Sequence, residues 1–215
     1  MPVLRSSPPS PFGRKIKIAA KLLDLMDKIT IEVADTANPE DSLRGQNPLG
    51  KIPALVLDDG SVLYDSRVIT EYLDFMAGGN RLLPEGEARF PVLRLQALSD
   101  GIVDASILQV YEKRFKPEEF RFPDWLAYQQ AKVTRGLDWL EGNTPPPLTS
   151  AADADAGSIA LACALGYLDL RFAGEWREGR PNLTAWLDSF DAAVPAFAET
   201  RLDPAPIPAA VAQLR

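Results

Sequence analysis

The sequence has no histidine and a single cysteine, Cys163, in 215 residues. Without histidine, Ser-His-Asp hydrolysis, imidazole acid/base catalysis and ordinary zinc enzymology all lose their usual residue, and no metal site is expected. One cysteine excludes an intramolecular disulfide framework. No apolar run approaches the ~20 residues that a membrane-spanning helix needs. The opening stretch, MPVLRSSPPSPFGRK, lacks the uninterrupted apolar segment of a secretion signal. The expectation is a cytoplasmic protein with no membrane partner. Basic residues are in deficit: 23 Lys and Arg against 30 Asp and Glu leave a net charge of −7. That balance argues against a nucleic-acid partner, because phosphate binding needs a basic face. Any chemistry must use hydroxyls, carboxylates, backbone dipoles or a nucleophile that the substrate brings.

What the chain does contain is an ordinary globular balance, 46% hydrophobic and 25% charged. Its first third alternates. Val3-Leu4 reads as a short strand, and Ser10-Pro11-Phe12 opens a helix, serine being a good N-cap and proline being favoured at the first helical position. Ile16, Ala19, Ala20, Leu23 and Met26 repeat at helical spacing. Ile29–Val33 alternates with period two, as a strand does. After an irregular stretch, Ala54–Leu57 reads as a buried strand, Asp58-Asp59-Gly60 as a turn and Ser61–Tyr64 as its hairpin partner. A helix follows from Ser66, with Val68, Ile69, Tyr72, Leu73 and Met76 on one face. This order predicts a small sheet packed by helices over residues 1–77.

Gly78-Gly79-Asn80 and Pro84 mark a linker at 78–85. Residues 86–215 carry no strand pattern and predict an all-α part. Its helices are expected at 87–115, 123–140, 158–172 and 181–190, with the apolar third one as the core and Cys163 as inert packing within it. The Pro/Ala-rich tail after Asp203 is expected to be irregular.

Three features in the first part carry chemistry. Ser10 places a hydroxyl at the mouth of a helix, as a cap or as a reactive group. Pro53 precedes a buried strand, where it cannot donate to a ladder, and Ile52-Pro53 is a bond that can be cis. Asp65-Ser66 stands at a strand-to-helix junction, where free N–H groups and the helix dipole favour an anion. Each also reads as ordinary local structure; their joint occurrence in this order does not.

The patterns S-P-F-x-x-K, N-P-x-G-K-I-P-x-L and L-Y-D-S-x-x-I-x-x-Y-L resemble the glutathione-binding domain of cytosolic glutathione S-transferases. The likeness extends into the helical part at Leu161–Asp169 and Pro181–Leu187. It implies an α/β thioredoxin-like N-terminal domain, an all-α C-terminal helical bundle, and a detoxifying transferase that uses glutathione as co-substrate. By resemblance Ser10 is the catalytic hydroxyl, Ile52 the backbone partner of the cysteinyl unit, Pro53 the cis-proline, Asp65 and Ser66 the γ-glutamyl binders, and Lys51 the residue facing the glycyl end. The second substrate, a small hydrophobic electrophile, is expected between the domains, with Phe12, Ile107, Tyr111 and Arg114 as candidates. A homodimer is implied. Asp100 and Asp104 read either as solvated helix charges or as groups reaching the partner's glutathione.

Serine, where the redox branches of the family carry cysteine, removes mixed-disulfide chemistry and points to the serine-type, tau-like branch. Pro8-Pro9 departs from the family's usual loop. Asp155 and Ser158 reverse the usual Ser/Thr-to-Asp order, which still permits a cap. Hydroperoxide reduction at the same site and a non-catalytic binding module remain the alternative functions. A glutathione-dependent isomerase usually has a second serine or cysteine where this chain has Pro9.

Overall fold

The computed structural model describes residues 1–202, so the tail after Asp203 lies outside the described residues. Val3–Ser6 forms β1, and a short loop carries the chain to Ser10, the N-cap of α1 (Pro11–Leu22). Ile16, Ala19, Ala20 and Leu23 are buried, as their spacing predicts. β2 (Thr30–Val33) pairs parallel with β1 at the sheet edge. Its alternation does not produce one covered face: all four residues are exposed, Val33 at 67%. At an edge, a period of two reports extended backbone and not burial.

The stretch that reads as irregular holds a one-turn helix, α2 (Leu43–Gln46), with Leu43 fully buried. β3 (Ala54–Val56) pairs antiparallel with β1 and with β4 (Val62–Leu63), giving the order β2-β1-β3-β4. The hairpin turn uses Gly60 at φ 84°, a conformation that costs glycine little. Asp65 caps α3 (Ser66–Met76). Ile69 and Leu73 are buried there, but Val68, expected on the same face, is 45% exposed. The covered stripe is narrower than the sequence pattern.

Gly78, Gly79 and Asn80 all adopt positive φ. A turn at Gly86–Ala88 leads into α4 (Arg89–Phe115), followed by α5 (Pro123–Gly142), α6 (Ala156–Phe172), α7 (Pro181–Ala193) and α8 (Pro195–Glu199). The reversed pair does cap α6: Asp155 Oδ1 accepts from the Ser158 N–H at 2.7 Å, and Ser158 Oγ accepts from the Asp155 N–H at 2.8 Å. α6 is buried almost all round and packs against α4 and α1. One apolar core runs from Leu4 and Ile16 to Leu165 and Phe190. The architecture is thus a thioredoxin-like α/β part with an all-α part behind it. Among the described residues no helix is long and apolar enough to cross a membrane, and no cluster of three metal-ligating side chains occurs.

Candidate functional site

Sheet register brings the three sequence features together. Arg5 in β1 lies opposite Ala54 in β3, and Leu63 in β4 lies opposite Leu55. Because these pairs are antiparallel, the exit of β1 toward Ser10, the approach to β3 through Ile52-Pro53 and the exit of β4 toward Asp65 share one end of the sheet.

The Ser10 N–H donates to Ser7 O at 3.1 Å, closing a turn over Pro8-Pro9. Its Oγ accepts from the Gly13 N–H at 3.0 Å. That cap uses a lone pair and leaves the hydroxyl hydrogen available; accepting one hydrogen bond also strengthens a hydroxyl as a donor. Capping and donating are therefore compatible. A Cβ at Gly13 would stand 2.1 Å from Ser6 Oγ, so the Ser6 side chain would have to turn away to admit one.

The Ile52–Pro53 peptide is cis. β3 starts only at Ala54, and the Ile52 N–H and C=O take no part in the turn and loop hydrogen bonds around them. Lys51 is exposed, and its carbonyl accepts from Asn47 Nδ2 at 2.8 Å. The Tyr64–Asp65 peptide is also cis. Asp65 Oδ1 accepts from the Arg67 N–H at 2.8 Å, while its second oxygen makes no hydrogen bond among the described residues. Ser66, 2% exposed, opens α3.

Behind this junction lies a charge cluster. Asp100 accepts from Lys15 Nζ at 2.8 and 3.1 Å and from Arg67 Nε at 2.9 Å. Asp100 is 2% and Lys15 1% exposed. Asp100 is therefore neither a solvated helix charge nor a group free to reach a partner; it ties α1, α3 and α4 together. Asp104, one turn on, is exposed. Desolvation by the groups packed around it and then the Asp100 charge push its carboxyl above the usual range, while Lys51 and Arg67 oppose the shift.

A cavity of about 300 Å³ opens beside Ser10, lined by Pro8, Pro9, Arg14, Cys163, Tyr167 and Phe197 among others. Phe12, Ile107, Tyr111 and Arg114 do not line it. The Phe12 ring stands 5.6 Å from Lys15 Nζ, on the side of α1 that meets α4. Tyr111 and Arg114 are exposed on α4 beside Phe115. The face of α1 that borders this cavity is turned toward α6 and α8. Cys163 is buried, and burial pushes its thiol up to about 11, consistent with packing. Arg14 escaped the sequence reading. The available signal was its spacing, four residues after Ser10 and so on the same helical face.

Residues 9–75 match the family model "Glutathione S-transferase, N-terminal domain", and residues 109–189 match "Glutathione S-transferase, C-terminal domain". The uncharacterized GST-like protein YibF of Escherichia coli K12 is 35% identical over 185 residues, covering 84% of this chain and 89% of its own. A glutathione S-transferase from Methylobacillus flagellatus, solved with glutathione bound, is 33% identical with a TM-score of 0.84, over 94% of this chain and 99% of that one. A transferase family member from Pseudomonas fluorescens Pf-5, with glutathione bound, is 39% identical with a TM-score of 0.82, over 95% and 100%. The same target with S-(propanoic acid)-glutathione bound is 40% identical with a TM-score of 0.80, over 94% and 99%.

Proposed function

The chain belongs to the glutathione S-transferase family, and we propose that it binds glutathione at the end of its sheet and joins the thiolate to a hydrophobic electrophile. The observation that carries this reading is Ser10: a helix-capping hydroxyl that donates no hydrogen bond among the described residues, at a helix N-terminus beside a cavity. The relatives with glutathione bound support the co-substrate.

In this reading the cysteinyl unit of glutathione pairs with the free Ile52 main chain as a short added strand. The free side of the Asp65 carboxylate takes the γ-glutamyl ammonium, and the Ser66 N–H and hydroxyl take its carboxylate. Lys51 faces the glycyl carboxylate. The sulfur then lies near the α1 N-terminus, whose dipole favours negative charge, and Ser10 donates to it.

One hydrogen bond to a charged group contributes about 1.5–3 kcal/mol, roughly 1–2 pKa units. Lowering a thiol from ~8.5 to ~6.5 raises the thiolate fraction at pH 7 roughly 25-fold. A Brønsted slope of ~0.4–0.5 removes about 8-fold of that in intrinsic nucleophilicity. The net gain is a few-fold, so holding the electrophile beside the sulfur supplies most of the acceleration. Ser10 prepares the nucleophile and does not attack.

The relative holding S-(propanoic acid)-glutathione supports conjugation over hydroperoxide reduction, since in that molecule the thiol hydrogen is replaced by a second sulfur–carbon bond, the bond that conjugation forms. The test is turnover with glutathione and either a chlorodinitrobenzene or cumene hydroperoxide. Conjugation of the aryl chloride, with loss of chloride, is expected to exceed peroxide reduction. The reverse order would move the reading to a peroxidase, and no turnover of either to a binding module. A two-fold homodimer is part of the same proposal, supported by exposed Val68 and Phe75 on α3 and Phe90 on α4. Sedimentation should give about twice the 23.5 kDa chain mass; a stable monomer would refute it.

A further inference from the structure

The cavity beside Ser10 contains three guanidinium groups, and two are matched. Arg177 pairs with Asp169 at 2.7 Å, and Arg201 pairs with Asp191 at 2.5 Å. Arg14 has no carboxylate within ion-pair distance among the described residues, although it is only 9% exposed. Its Nε donates to Thr200 Oγ1 at 3.2 Å and its Nη2 to Phe197 O at 2.5 Å, both neutral oxygens. Nη1 makes no hydrogen bond among the described residues. It lies where a Cβ on Gly166 would come within 2.6 Å, so the glycine of α6 leaves it room. The guanidinium plane is held over the Phe197 ring, 4.0 Å from its centroid.

A buried charge without a direct ion-pair partner is costly to maintain, and the carboxylates of Asp169, Asp188 and Asp191, which also line the cavity, stand beyond ion-pair distance of Arg14. Here it borders an opening, four residues and one helical turn from the Ser10 hydroxyl. From this arrangement we propose that the cavity admits the acceptor substrate by a carboxylate, which Arg14 holds. The inference rests on the conjugation reading above and narrows its substrate class. A planar guanidinium with a spare donor edge matches a carboxylate better than any neutral group. Pro8, Pro9, Leu170 and Leu187 supply apolar walls for the remainder of the molecule. The volume, about 300 Å³, is at the small end of ligand sites, which run to roughly 1,000 Å³. The acceptor is thus a small electrophile with an apolar body and one acidic end. Arg14 also fastens α8 through Phe197 and Thr200, and the experiment separates that structural role from recognition.

Two matched pairs of probes decide it. Nitrobenzoate and nitrobenzamide are unreactive and measure binding by calorimetry. Chloronitrobenzoate and its amide measure turnover: the glutathione sulfur bonds to the ring carbon, chloride leaves with the bonding pair and the thiol proton passes to solvent. Wild type is expected to bind the benzoate roughly 10-fold or more tightly than the amide, as one charge-assisted hydrogen bond implies. Its KM should show the same preference. In Arg14→Met the ratio should fall toward one, and Arg14→Lys should recover part of it. Equal wild-type dissociation constants for acid and amide would overturn the proposal even if Arg14→Met fails to fold, and so would a folded Arg14→Met that keeps the preference. Tight benzoate binding with neither chloro compound turned over would contradict conjugation while supporting carboxylate recognition, so the two failures are distinguishable.

Discussion

Asp100→Ala is expected to lower the unfolding free energy by about 3–5 kcal/mol, the loss typical when one member of a buried ion pair is removed. The size follows from what stays behind. Lys15 is 1% exposed, and Asp100 is the carboxylate within ion-pair distance of it among the described residues. Arg67, with half its side chain exposed, can turn to water and loses less. Most of the cost is therefore an uncompensated ammonium between α1 and α4, and not the attraction itself. That argument predicts a rescue. Lys15→Met combined with Asp100→Leu should recover most of the loss, since buried ion pairs exchanged for apolar groups of similar volume are often neutral. Denaturant unfolding of the single and double variants reads both. A single-variant cost below about 1 kcal/mol would place the pair in the class of surface bridges.

Ser10→Ala should raise the pKa of the bound glutathione thiol by roughly 1–2 units, the value of one hydrogen bond to a charged acceptor. It should also cost about 1 kcal/mol of stability, because the Oγ that caps Gly13 is lost with it. The two effects have different controls. Ser10→Asp keeps a good N-cap and hence most of the stability. Its carboxylate would face the sulfur, however, and should push the thiol pKa up further than alanine does. Conjugation near pH 7 is then expected to fall in both variants. The thiolate fraction, largest above the bound pKa, should reappear as pH rises, so the deficit shrinks in alkaline solution. Glutathione affinity should change little in Ser10→Ala, because the tripeptide is held mainly at Ile52, Asp65 and Ser66 in the proposed site.

Local rules carried much of the fold. Ser10-Pro11 marked the start of α1, Asp155 with Ser158 the start of α6, and the glycines after Met76 the end of α3. Each depends on residues a few positions apart, and such signals survive in a bare sequence. Burial set by distant partners did not. Ile31 and Val33 alternate correctly yet are exposed, because their strand lies at the sheet edge. Leu43 is fully buried in a helix too short to show a period. Asp100 looked like any charge on a long helix, since its partner Lys15 is 85 positions away. The candidate glutathione residues were legible because they follow one another in a fixed order. The cavity was not, because it joins the loop at Pro8-Pro9 to α6, α7 and α8, and the apolar run of α6 announced only a core.

The claim at the centre of this account is that Ser10 holds glutathione as a thiolate. Thiolate absorbance of the glutathione complex, titrated against pH in wild type and in Ser10→Ala, tests it most directly. The expected result is a wild-type midpoint well below the ~8.5 of a free thiol, displaced upward by roughly 1–2 units in the variant. Coincident curves, with the variant merely less stable, would leave Ser10 as a helix cap and contradict the account.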